Sequence, residues 1–134
     1  MKIVEIPVET GERYELVSIT DEVRRAARDA GVDEGICIIS STHTTAAVTV
    51  NEDYDRDVPG DLASACRAFL DVLDVRFEHA EGNSDSHFLT SLFGQSQTLL
   101  VRGGELDLGL WQGVFLAEFD GPRSRTVHVA VYPA

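Results

Sequence analysis

Apolar and polar positions change period several times along the chain, and each change marks an element. Ile3, Val4, Ile6 and Val8 predict a strand over residues 2–8, stopped at Thr10 and Gly11, with 12–19 as its antiparallel return. Thr20 is placed to cap a helix, with Asp21 and Glu22 at its positive end and Val23, Ala26, Ala27 and Ala30 at helical spacing before Gly31. The small stripe predicts close packing on a sheet. Residues 35–40 hold Ile36, Cys37, Ile38 and Ile39 in an unbroken run, the pattern of a strand covered on both faces, and 46–50 form a second β-prone run.

Asp57 and Pro59 open the longest predicted helix, with Val58, Leu62, Ala65, Cys66, Phe69, Leu70 and Leu73 on one face. Residues 75–83 read as a loop, after which Ser84 caps a short helix carrying Phe88, Leu89, Leu92 and Phe93 and closed by Gly94. The rest is β-rich: 98–102, a Gly103-Gly104 turn, 105–108, 112–119 and 126–132. No linker, repeat or low-complexity tract interrupts the 134 residues. The expected architecture is a single α+β domain with a largely antiparallel sheet, two longer helices and one short helix.

Charge narrows the partners. Twenty-three Asp and Glu face eleven Lys and Arg, a formal −12. Affinity for nucleic acid or an anionic membrane surface needs a basic face, and neither partner is expected. Lys2 is the only Lys, the other bases being Arg. Acidity of this kind fits a protein working in concentrated salt, where self-repulsion is screened, and equally an acidic protein of an Arg-rich proteome. Cys37 and Cys66 read as core residues rather than a disulfide framework. The first residues resemble no secretory signal and no apolar stretch reaches membrane-spanning length, so a cytoplasmic location is expected.

Histidine is the most informative residue type. His128 alternates with Val127, Val129 and Val131 and reads as a strand-surface histidine. His79 and His87 flank a polar loop that can fold back to bring their rings together, and His87 falls near a helix start, where the dipole disfavours protonation. His43 sits in a turn rich in hydroxyls: Ser40, Ser41, Thr42, Thr44 and Thr45. Three neutral imidazoles with a position left for water would make a zinc-type site, with Glu52 or Asp85 as orienting or proton-accepting carboxylates. Spacing alone leaves loop capping as the alternative.

Arg123 and Arg125 beside Gly121-Pro122 are either a clamp for phosphate or partners of the abundant acids. Glu118 lies within an apolar run, so it is an Arg partner or a functional acid, and pairing is the simpler reading.

Three blocks together resemble the YjbQ family: residues 43–52, from His43 to Asn51 and Glu52; residues 78–94, with His79, Asn83, Asp85 and His87; and residues 109–123, with Trp111, Gln112, Glu118 and Arg123. One departure is Leu110, where the family usually has Thr. The resemblance implies an α+β fold, a homotrimer with sites near subunit boundaries, and a secondary thiamine-phosphate synthase activity on small phosphorylated metabolites. It implies a divalent ion, zinc first, on His43, His79 and His87. Glu52, as base or orienter of an imidazole, and Glu118 would then be the catalytic carboxylates, and Ser41, Thr44, Asn51, Asn83, Gln112, Arg123 and Arg125 the substrate contacts. The alternative is a homotrimeric metal- or ligand-binding protein without chemistry of its own.

Overall fold

The computed structural model describes residues 2–134. The chain runs β1 (Ile3–Glu9), β2 (Glu15–Ser18), α1 (Thr20–Asp29), β3 (Glu34–Ser41), β4 (Ala46–Glu52), α2 (Asp57–Asp71), α3 (Ser84–Phe93), β5 (Ser96–Arg102), β6 (Glu105–Leu106), β7 (Gln112–Glu118) and β8 (Ser124–Pro133). The single α+β architecture expected from sequence is present. The strands form not one sheet but two, a five-stranded sheet ordered β1-β8-β3-β5-β6 and a three-stranded sheet ordered β2-β7-β4. Every pairing between these strands is antiparallel.

β2 is therefore not the hairpin partner of β1: β1 pairs with β8 and β2 with β7. Among the connections that pass from one sheet to the other are those from β1 to β2, β3 to β4 and β7 to β8. The register places all three at the same end, because Glu118 lies opposite both Glu15 and Ala46 while Ser124 lies opposite Glu9 and Val127 opposite Ser41. This crossing end is where most of the candidate site lies.

Two cores follow from strand alternation. Between the sheets, Ile6, Val8, Cys37, Ile39, Val127 and Val129 meet Ala46, Val48, Val114 and Leu116, with Val23, Ala26 and Ala27 of α1 joining them. On the other side of the small sheet, Leu16, Ala47, Phe115, Ala117 and Phe119 pack against Ala63, Cys66 and Leu89 from α2 and α3. Sheet, sheet and helix pair thus form three layers.

Three local expectations change. Thr20 does not cap α1 with its side chain. It begins the helix, and its Oγ1 accepts the Val114 N–H at 2.9 Å and donates to Asp53 Oδ2 at 2.6 Å, joining α1 to the small sheet. Ser84 likewise yields the cap position to Asn83. β3 is covered on one face only: Cys37 and Ile39 are buried, whereas Ile36 stays 37% exposed beside Leu100 and Tyr132 on the outer face of the large sheet. On α2 only Ala63 and Cys66 are buried, and Phe69, predicted inward, is 44% exposed.

Candidate functional site

At the crossing end, alternation turns Arg125 inward in phase with Val127 and Val129, and Glu118 inward in phase with Val114 and Leu116. The two meet from opposite sheets. Arg125 Nε donates to Glu118 Oε1 at 2.8 Å and Nη2 to Oε2 at 2.5 Å, and Nη2 also donates to Thr45 Oγ1 at 2.8 Å. Thr10 Oγ1 donates to Glu118 Oε1 at 2.8 Å, and the Phe119 and Asp120 amides donate to Oε2. Burial pushes the Glu118 carboxyl up, but the bonds from Arg125, Asp120 and Thr10 together hold it below its usual range. With Arg125 6% exposed and Glu118 fully buried, neither reaches a ligand from outside. Of the two readings that the sequence leaves open for each residue, pairing of Arg125 with Glu118 is the one present in the chain. Their residue types mark an internal ion pair.

Arg123 is exposed, but its Nη2 donates to Asp120 Oδ2 at 3.0 Å and its Nε to the Asp120 carbonyl at 2.8 Å. Asp120 also accepts from Asn83 Nδ2 at 2.8 Å. Burial raises the Asp120 carboxyl less than Asn83 and Arg123 lower it. Asn83 is buried, and its Oδ1 has no partner. Asp85, expected near a histidine, instead accepts two bonds from Arg13 Nη2 and one from the Tyr14 hydroxyl.

The loop between α2 and α3 does fold back. The His79 and His87 rings lie edge-to-face with centroids 5.6 Å apart. Two imidazoles sharing one tetrahedral ion, each with a metal–nitrogen bond of about 2 Å, have centroids about 5 Å apart, so the pair fits two positions of such a site. His43 is held differently: its Nε2 accepts the Thr126 backbone N–H at 3.0 Å. Burial and the Arg125 charge keep its imidazole below the ordinary pKa, therefore neutral near pH 7. Among the described residues no group of three His, Cys, Asp or Glu stands close enough to hold an ion. The three histidines do not form such a group in this structure, and His43 differs from the other two in having its Nε2 engaged by the Thr126 amide.

His43 and His87 nevertheless face one pocket of about 430 Å³, whose other walls are Ser41, Thr42, Thr44, Thr90, Ser91 and Gln95. Ser41 Oγ is engaged, donating to the Ala46 carbonyl and accepting the His43 amide, and Thr90 Oγ1 donates to the Ser86 carbonyl. Thr42, Thr44, Ser91 and Gln95 line the same pocket and take part in none of these bonds. Thr90, Ser91 and Gln95 were not anticipated; Thr90 and Ser91, three and four residues beyond His87 on α3, share its helical face, a spacing that could have pointed to them.

Asn51, Glu52 and Gln112 lie elsewhere. Glu52 pairs with Gln112 at the end of the small sheet opposite to the Ala46–Glu118 pair. Six residue steps of strand separate these ends, about 20 Å. Trp111 and Tyr54 stack edge-to-face there at 4.6 Å, and Leu110 is 87% exposed. Within one chain the predicted site residues thus form two groups.

Two antiparallel sheets, crossing at a polar end with a histidine- and hydroxyl-lined pocket, define a small three-layer α+β protein. The model of the UPF0047 protein YjbQ-like family matches residues 4–134, and the chain belongs to that family. A UPF0047 protein of Methanocaldococcus jannaschii is 43% identical over 127 residues, covering 92% of this chain and 89% of that protein. The UPF0047 protein YugU of Bacillus subtilis is 39% identical, covering 92% and 94%. Among solved structures, an uncharacterized conserved protein of the family from Clostridium acetobutylicum superposes with a TM-score of 0.91 at 36% identity, covering 96% of this chain and 99% of its own. A protein of unknown function from Sulfolobus solfataricus gives 0.92 at 32% identity, covering 99% and 97%.

Proposed function

We propose that this protein is a cytoplasmic, metal-assisted enzyme acting on a small phosphorylated metabolite, with thiamine-phosphate synthase as a side activity. The observation that carries this reading is the pocket where His43 and His87 stand among Thr42, Thr44, Ser91 and Gln95. In a chain of net charge −12, uncharged donors are a means of holding a phosphate when Arg123 and Arg125 are engaged by Asp120 and Glu118. His79 and His87 are the protein ligands of a divalent ion, zinc first. Such an ion would neutralise charge on departing pyrophosphate. In the side activity the thiazole nitrogen forms a bond to the pyrimidine methylene as its carbon–oxygen bond to pyrophosphate breaks.

The two groups of site residues are 20 Å apart in one chain by the strand estimate, and we place them together across a boundary between copies. A homotrimer, which the family resemblance implies, would put Asn51, Glu52 and Gln112 of one copy against the pocket of the next. The exposed Ile36, Leu100, Tyr132, Trp111 and Leu110 supply apolar surface for such assembly. A second reading, a binding protein without turnover, is favoured by one fact: Glu118 is internal and Glu52 distant, so no free carboxylate of the same chain lines the pocket.

Calorimetric titration with inorganic phosphate, metal analysis of untagged protein and a thiamine-phosphate synthase assay test this. The enzyme reading expects phosphate binding lost in Thr44→Val/Ser91→Ala, metal lost in His79→Ala and His87→Ala, and turnover lost in all. Binding without turnover leaves the second reading. Absence of phosphate binding removes the pocket's role.

A further inference from the structure

The hydrogen bond at His43 carries a consequence for the pocket's chemistry. A backbone amide can only donate, so the Nε2 that receives the Thr126 N–H at 3.0 Å must present a lone pair. A neutral imidazole then bears its proton on Nδ1. The reason for the bond lies in the sheet. β3 runs beside β8 only as far as Ser41 opposite Val127, so Thr126 is one position past the end of that ladder. On its other side β8 faces Pro7 of β1, directly opposite Thr126. The His43 side chain takes up the amide that the next residue of β3 would have received.

We propose that His43 serves the pocket as a fixed donor, offering Nδ1–H to an anionic oxygen, and is not a ligand of the metal. This rests on the pocket being the phosphate site. Recruiting Nε2 to a metal would leave the Thr126 amide without an acceptor, and recruiting Nδ1 would require loss of its proton. The ring is braced further by its own backbone N–H, which donates to Ser41 Oγ at 3.1 Å. The buried Arg125 charge and the ring's partial burial favour the neutral form that this geometry needs. The site thereby divides its labour: His79 and His87 are left to hold an ion, while His43 stays locked to the large sheet as part of the anion's cradle.

Long-range ¹H–¹⁵N spectra of ¹⁵N-histidine protein, with and without zinc, read the tautomer directly. The proposal expects His43 as the Nδ1–H form in both, and a shift of that signal on adding inorganic phosphate. His43→Asn places an amide donor near the Nδ1 position and retains most of the phosphate affinity. His43→Gln places its amide near Nε2 and lowers affinity about tenfold or more, the effect of losing one hydrogen bond to a charged group. Both variants keep wild-type zinc content, unlike His87→Ala. An Nε2–H tautomer, a zinc-dependent collapse of the Nδ1–H signal, or zinc loss in either His43 variant overturns the proposal. If wild-type protein binds no phosphate, the anion role falls together with the pocket's proposed function. The tautomer and zinc results still decide whether His43 is a ligand.

Discussion

Glu118 and Arg125 face each other across the gap between the two sheets, joined by two hydrogen bonds of 2.8 and 2.5 Å with almost no solvent exposure. The pair closes the crossing end as a polar plug in line with the apolar inter-sheet core. Thr10 from the β1–β2 connection and Thr45 from the β3–β4 connection add hydrogen bonds to it, beside those of the Phe119 and Asp120 amides. An ion pair buried this way costs desolvation that only its full set of partners offsets.

Removing one partner should therefore be far worse than removing both. Arg125→Met is expected to cost about 3–5 kcal/mol in urea unfolding, while Arg125→Met/Glu118→Leu recovers most of it. A single-variant loss below about 1 kcal/mol would mean that water reaches the pair.

Acid should loosen the same end in two stages. His43 titrates below its unfolded value, so the unfolded chain takes up its proton first, and stability declines as pH falls below about 6.5. Glu118 is also depressed, so its contribution is complete above the unfolded carboxylate value of about 4.3 and disappears as pH falls through its folded one. Urea midpoints against pH should show both declines, and His43→Asn should remove the upper one only. An unchanged upper decline in that variant would assign it to another group.

Gly113 tolerates no side chain. A Cβ there would lie 2.3 Å from Asp53 Cβ and 2.6 Å from Thr20 Oγ1, where α1, β7 and the segment after β4 converge. Gly113→Ala should lose about 1–3 kcal/mol or more. At Gly109 the nearest atom is the flexible Gln112 side chain at 3.3 Å, and Gly109→Ala should be nearly neutral by the same thermal-melt measurement.

Both thiols should be silent in the folded protein. Burial pushes Cys37 up to about 11 and raises Cys66 as well, so neither forms a thiolate near neutral pH. Ellman's reagent should titrate neither in native buffer and both in denaturant. Rapid labelling under native conditions would reveal opening of the helix layer or the inter-sheet core.

A site shared between copies makes a distinctive prediction. Glu52→Gln and His87→Ala proteins, each inactive, should regain part of their thiamine-phosphate synthase turnover when unfolded together and reassembled, because mixed assemblies contain some intact boundaries. No recovery, with mixed assemblies confirmed by native mass spectrometry, would confine the site to one chain.

Much of this was legible along the chain. The eight strands and three helices fall close to where alternation, helical spacing and Gly stops put them, although β6 is two residues rather than four. The phase of alternation also held information about the site. Arg125 in step with Val127 and Val129, and Glu118 in step with Val114 and Leu116, were marked as inward-facing by their own strands. That phase favours pairing over a clamp at Arg125, two readings that the neighbouring turn alone leaves open. Thr20 was misread because a Thr before a helix usually caps it, whereas here a tertiary partner, the Val114 backbone, claims the hydroxyl.

What the sequence determined by itself was therefore the list of elements, the inward face of most of them, the acidic charge and membership of a family with His43, His79 and His87 in place. These depend on neighbours a few residues apart, whose spacing sets which face is apolar. Only the tertiary structure decided that the strands divide into two sheets and that three crossings gather at one end. It also separated Glu52 from the histidines, and bound His43 to an amide 83 positions away. Strand pairing and the last hydrogen bond of a ladder join distant segments, and no local period records which partner a segment will meet.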